Sequence, residues 1–206
     1  MESLHDIALL VSQCNDCSLH LSRTNSVPGE GHHSAEIMLI GEGPGAREDQ
    51  EGIPFVGQAG RFLDQLLASI DLKRSDVFMA NMVKCRPPNN RDPSPEELQA
   101  CSKYLDKQIE LVNPLLIVTL GRFALSRFFP GETMGIASGK LREHLGRSIL
   151  PIMHPAAALY RPENKVAIMN DFGLIPSILS TLRQVRVGIA TSTINESPPP
   201  EQLTLF

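Results

Sequence analysis

The chain has 206 residues, 42% apolar and 20% charged, about the length of one domain and with enough apolar side chains for a core. Lys plus Arg number 19 against 23 Asp plus Glu, a net charge of -4. A uniformly basic coat for nucleic acid is thereby excluded, and any phosphate backbone must be met by local patches. No apolar run approaches the roughly 20 residues that cross a bilayer. The N-terminus lacks a basic signal region and carries Glu2 and Asp6 early, so a cytoplasmic location is expected.

An apolar, helix-like stretch leads into Cys14 and Cys17, a C-x2-C pair. Cys85 and Cys101 follow far downstream. With no export signal, disulfides are not expected. Four unrelated thiols, or one redox pair plus two core residues, would satisfy the count. A zinc ribbon would want a second close pair, whereas an iron–sulfur cluster tolerates long gaps. Spacing alone does not choose the metal.

Four β-branched-rich runs read as strands: Ile37–Ile40, Val77–Met79, Leu115–Leu120 and Ile149–Met153. Helical periodicity separates them, as in Phe62, Leu63, Leu66, Leu67 and Ile70. Residues Pro95–Val112 form another predicted helix, with Ser94 as N-cap, Pro95 at its first position and Glu96 and Glu97 in its first turn. Alternating strands and helices predict one α/β domain over residues 1–184. The expected arrangement is a three-layer αβα fold around a central four-stranded parallel sheet. Beyond it, residues 185–201 are polar and rich in Ser, Thr and Pro, and predict a flexible linker. The chain closes with QLTLF (202–206), apolar again at Leu203, Leu205 and Phe206.

Each strand runs into an unusual segment: GEGPG (41–45), NMVKCRPPNNR (81–91), GRFA (121–124) and HPAAALYRPEN (154–164). Ligands of open parallel sheets bind at the carboxyl ends of the strands, so these segments predict a single site. Gly41, Gly43 and Gly45 make a tight turn without the lysine of a P-loop. Glu42 and the Glu48–Asp49 pair add carboxylates, which could also be solvated loop charges. Phe55 is either a plug over the core or a platform for a flat ligand. The planar amide of Asn81 offers a donor and an acceptor, matching N3–H and O4 of a uracil. His154 is a candidate donor or a structural histidine. Lys84, Arg86 and Arg91 form one basic patch, and Lys140, Arg142 and Arg147 a second.

The segments GEGPGAREDQEGIPFVGQAGRFLD (41–64), NMVKCRPPNNRDPSPEELQAC (81–101), LGRFA (120–124) and HPA (154–156), with Cys14 and Cys17 upstream, resemble family 4 uracil-DNA glycosylases, the iron–sulfur type of bacteria and archaea. The resemblance covers residues 5–184 and implies monofunctional release of uracil from DNA, leaving an abasic site. It implies a [4Fe–4S] cluster on Cys14, Cys17, Cys85 and Cys101, with a structural role. It also implies that Gly41, Glu42 and Gly43 contact the uracil and position water, and that Phe55 stacks on the base. Asn81 would read its edge, His154 would bond to O2, and Glu48 would exclude the thymine methyl. Where better-known relatives carry a water-activating Asp, this chain has Gly43, so Glu42 is expected to supply the carboxylate. The wedge position falls near Ala158, too small to fill a base stack, which leaves Leu159 or Arg161. QLTLF resembles the peptide by which bacterial repair proteins dock on the sliding clamp, with Gln202, Leu203, Leu205 and Phe206 as contacts. A monomer is expected. The competing reading is a non-catalytic iron–sulfur DNA-binding adaptor tethered to the clamp.

Overall fold

A computed structural model describes residues 3–195 of the chain, with side chains through residue 187. Ser3 caps α1 (Leu4–Gln13) reciprocally with Asp6. Strand β1 (Glu30–Gly31) and strand β2 (Ile37–Gly41) follow, then α2 (Ala46–Glu51), α3 (Gln58–Ala68) and β3 (Phe78–Asn81). Helix α4 (Pro95–Val112) starts and stops as its sequence dictates. Ser94 and Glu97 close a capping box with Pro95 inside it, and Asn113 ends the helix in the left-handed region at φ 45°. Next come β4 (Leu116–Leu120), α5 (Arg122–Phe128) and α6 (Met134–Ala137). A hairpin of β5 (Arg142–His144) and β6 (Arg147–Ile152) precedes α7 (Ala157–Tyr160), α8 (Pro162–Gly173) and α9 (Ile175–Asn195).

The sheet has six strands in the order β1-β3-β2-β4-β6-β5 and is mixed, which corrects the expectation of a four-stranded sheet. Its inner strands pair in parallel, while β1 and β5 pair antiparallel at the edges. Both edge strands are two or three residues long. Such short, polar segments carry no period-2 pattern, so sequence periodicity passes over them.

Along β2, alternate residues face opposite cores. Leu39 joins Leu63 and Leu66 of α3 and Phe172 of α8, whereas Met38 and Ile40 join Leu105 and Ile109 of α4 and Phe128 of α5. Burial on both faces explains the continuous apolar runs. A third cluster sets Ile7 and Val11 of α1 against Cys101 and Tyr104 of α4.

The linker expectation fails at its start, because α9 continues to Asn195. No proline stands between Pro176 and Pro198, and an established helix adds residues at little cost. The QLTLF peptide at 202–206 lies outside the described residues. Among the described residues, no helix is long and apolar enough to cross a membrane.

Candidate active site

Gly41 lies beside Asn81 where β2 and β3 end, and the last residues of β4 and β6, Leu120 and Ile152, are likewise paired. The loops leaving this rim enclose a cleft of 590 Å³ whose walls include Glu42, Gly43, Glu48, Phe55, Asn81 and His154. Gly41 is the floor between two of them. A Cβ there would come within 2.5 Å of Asn81 Oδ1 and 2.6 Å of Phe55 Cζ, so only glycine lets the amide and the ring approach. Its neighbour Gly43 is equally confined, since a Cβ would stand 2.8 Å from Val83 Cγ2.

Phe55 is at once a core residue and a wall of the cleft. It belongs to the core cluster at 5% exposure and also lines the cleft, with its ring centroid 6.4 Å from that of His154. Its backbone sits at φ 55°, a conformation that a side chain with a Cβ rarely adopts. Asn81 is 3% exposed and its amide makes no hydrogen bond to protein among the described residues, so donor and acceptor are both free.

His154 Nδ1 accepts the Ala156 N–H at 3.2 Å, which places the proton of the neutral ring on Nε2. Burial pulls its pKa down to about 4, against a smaller upward pull from the Glu48 carboxylate. The ring is therefore a neutral donor at physiological pH. Glu48 ties two loops together: Oε1 accepts the Gly57 N–H at 2.8 Å, and a Cβ at Gly45 would meet Oε2 at 2.7 Å. Glu42 makes no side-chain hydrogen bond to protein among the described residues. Burial pushes its carboxyl pKa up, Asp92 adds to the rise, and Arg122 opposes it. Asp92 and Arg122 are themselves paired at 2.5 Å.

The predicted basic patches are only partly retained. Lys84 does not belong to a DNA surface. It is 1% exposed, and Nζ donates to the Asn81 carbonyl at 2.9 Å and to Gln108 Oε1 at 2.6 Å. Its long side chain reaches inward and braces the strand end that carries Asn81. The guanidinium of Arg91 forks onto the buried Glu97, whose pKa it drives down to about 2. Arg86 donates to Asn90 Oδ1 and has no carboxylate partner among the described residues. In the second patch Arg142 is paired with Glu132, and Arg147 opens β6 at the amino end of the sheet, opposite the cleft.

All four cysteines line one small cavity with Val11, Leu19 and Tyr104. The Lys84 N–H donates to Cys101 Sγ and the Arg23 guanidinium to Cys85 Sγ, each at 3.2 Å. Burial raises the thiol pKa values of Cys17 and Cys85, and that of Cys101 to about 11. Thiolates gathered here would need a bound cation to offset that burial, and the N–H donors suit thiolates. The donor set therefore fits a thiolate-held metal group. Among the described residues, no three His, Cys, Asp or Glu side chains are gathered to hold a single ion.

Sequence reading gives no individual role to Gly60, Asp92 or Arg122, although each stands in a motif segment, and it passes over Arg74 altogether. Arg74 looks like an ordinary surface charge, and only the tertiary structure brings it to a loop of the cleft.

A family model described as the uracil DNA glycosylase superfamily matches residues 28–173. A protein of Archaeoglobus fulgidus named type-4 uracil-DNA glycosylase is 47% identical, over 84% of this chain and 91% of its own length. Proteins of the same name from Saccharolobus solfataricus and Thermotoga maritima are 48% and 45% identical. The first alignment covers 88% of both chains, the second 80% of this one and 88% of the relative.

Proposed function

The chain belongs to the uracil-DNA glycosylase superfamily, within its type-4 family, and from that premise we propose how its residues share the work. The enzyme hydrolyses the bond between uracil and deoxyribose in DNA, as a step in DNA repair. Breaking that bond builds positive charge on the sugar and negative charge on uracil O2. Uracil enters the cleft extruded from the helix, which costs a few kcal/mol of unstacking that pocket contacts must offset.

Phe55 stacks on the base. The Asn81 amide donates to O4 and accepts from N3–H, and cytosine, with these reversed, would leave the amide mispaired in a dry slot. His154 donates its Nε2–H to O2 as the negative charge grows. Being neutral, it stabilises the anion by a hydrogen bond alone. Glu42 faces the sugar and holds the attacking water, and its lack of a protein partner among the described residues supports this reading. Glu48, braced across Gly45 and Gly57, closes the space that a thymine methyl would need.

Cys14, Cys17, Cys85 and Cys101 would hold a [4Fe–4S] cluster. Bound there, it would have a structural role, and the four cysteines would then join the end of α1 and helix α4 to the loop that carries Arg86. Phosphates meet cations near the cleft that have no ion pair among the described residues: Arg86, bonded to Asn90 of the cleft wall, Arg61 and Lys165, which line a hollow with Gln58 of that wall, and Arg161 before α8. Leu159, 42% exposed on α7, is the wedge. The terminal QLTLF docks on a sliding clamp, with 196–201 joining it to α9.

The observation that carries this reading is the meeting of a free amide, an aromatic ring, a neutral histidine and a carboxylate in one cleft. Single-turnover release of uracil from a uracil-containing oligonucleotide tests it. The parent should yield free uracil and an uncut strand. Asn81→Ala should be slowed roughly 5- to 150-fold, the equivalent of about 1–3 kcal/mol for an unsatisfied buried partner. Unaltered release by that variant would remove Asn81 as the base reader.

A further inference from the structure

Phe55 can be a platform only while its backbone stays where few side-chain-bearing residues go, at φ 55°. Contacts away from the cleft hold it there. Arg74, just before β3, donates from Nη1 to the Phe55 carbonyl at 3.0 Å and from Nη2 to the Pro54 carbonyl at 2.6 Å. The guanidinium is itself oriented by Asp64 of α3, whose Oδ1 accepts from Nη1 at 3.0 Å, and by Glu30 of β1 at 3.8 Å. Gly60 completes the seat, because a Cβ there would lie 1.8 Å from the Phe55 carbonyl oxygen.

We propose that Arg74 is a positioning residue for base stacking, its guanidinium fork locking the Pro54 and Phe55 carbonyls so that the ring faces the cleft. A planar fork satisfies two successive carbonyls and a carboxylate at once, whereas a lysine ammonium would supply the charge without that fixed geometry. Without the fork, both carbonyls are left with no donor from Arg74, and the loop is free to return to ordinary negative φ. The ring then leaves its place beside Gly41 and His154. Weaker stacking penalises DNA that carries an extruded base and spares DNA that has none. This inference rests on the cleft being a uracil slot.

The test compares binding to two duplexes, one with 2′-fluoro-2′-deoxyuridine, which resists cleavage, and one with a tetrahydrofuran abasic analogue. The parent should prefer the base-bearing duplex. Arg74→Ala and Arg74→Lys should each cut that preference by roughly 5- to 150-fold, the range for one base stacked on one aromatic ring. Phe55→Ala should match them, and the Arg74→Ala, Phe55→Ala double variant should fall no further than either alone, because both remove one interaction. Retained preference in either Arg74 variant would overturn the proposal, as would reductions that multiply in the double variant. Should Arg74→Ala fail to fold, Arg74→Lys, which keeps a charge opposite Asp64, decides alone. A parent with no preference and no uracil release would instead overturn the slot reading.

Discussion

Two hollows lie at opposite ends of the sheet, and the proposed site is the smaller. At the amino end a groove of 810 Å³ runs among Leu141, Leu145, Arg147, Val185 and Arg186. At the carboxyl end the cleft measures 590 Å³. The amino-end groove offers exposed aliphatic side chains, such as Leu145 at 90% exposure, with Arg147 turned to Asn113. The carboxyl-end cleft holds a free amide, a histidine kept neutral and a half-buried carboxylate whose pKa is raised. Size therefore says little. Converging polar groups whose protonation is set by burial distinguish the site, as the physics of ligand pockets leads one to expect.

That contrast can be broken most sharply at His154. If its neutral Nε2–H is the donor to the leaving base, His154→Ala should slow single-turnover uracil release by roughly 10²- to 10³-fold, the usual effect of removing one such donor. A decrease under fivefold would return His154 to a structural role.

Acidity should act next, through Glu42. Its raised pKa means that the carboxylate is protonated as pH falls through a range above that of an ordinary glutamate. His154 stays neutral down to about pH 4. Single-turnover rates should therefore decline with one ionisation as pH falls through that raised range, and Glu42→Gln should be slow throughout and lack that step. Persistence of the same step in Glu42→Gln would assign it to another group.

Salt sharpens the comparison of the two ends with a smaller effect. Arg61→Gln with Lys165→Gln should lower the slope of log affinity against log salt by about 0.9 for each phosphate that is no longer neutralised. Arg147→Gln at the amino end removes the same kind of charge and should leave the slope where it was. Equal slopes for all variants would mean that overall charge, rather than the cations near the cleft, governs binding.

The sequence showed the inner strands, α4 and the motif loops because each has a local cause. Burial on both faces makes continuous apolar runs, a Ser94–Pro95–Glu97 start makes a cap, and glycine marks the Gly41 floor. It did not show β1 or β5, whose two or three polar residues have no periodicity. Lys84 reads in sequence as one cation among Arg86 and Arg91, and only its tertiary surroundings reveal an inward-facing brace. Arg74 is hidden for the same reason, since it acts on carbonyls 19 and 20 residues away. The onset of α9's polar half reads as linker because composition is insensitive to a helix already begun.

The central claim is that rim loops enclose one flat ring, and a crystal structure of the protein with free uracil tests it most directly. The ring should lie against Phe55, with N3 and O4 on the Asn81 amide and O2 within hydrogen-bond reach of His154 Nε2. Uracil lodged in the amino-end groove, or bound in the cleft with its O4 edge turned away from Asn81, would contradict the account.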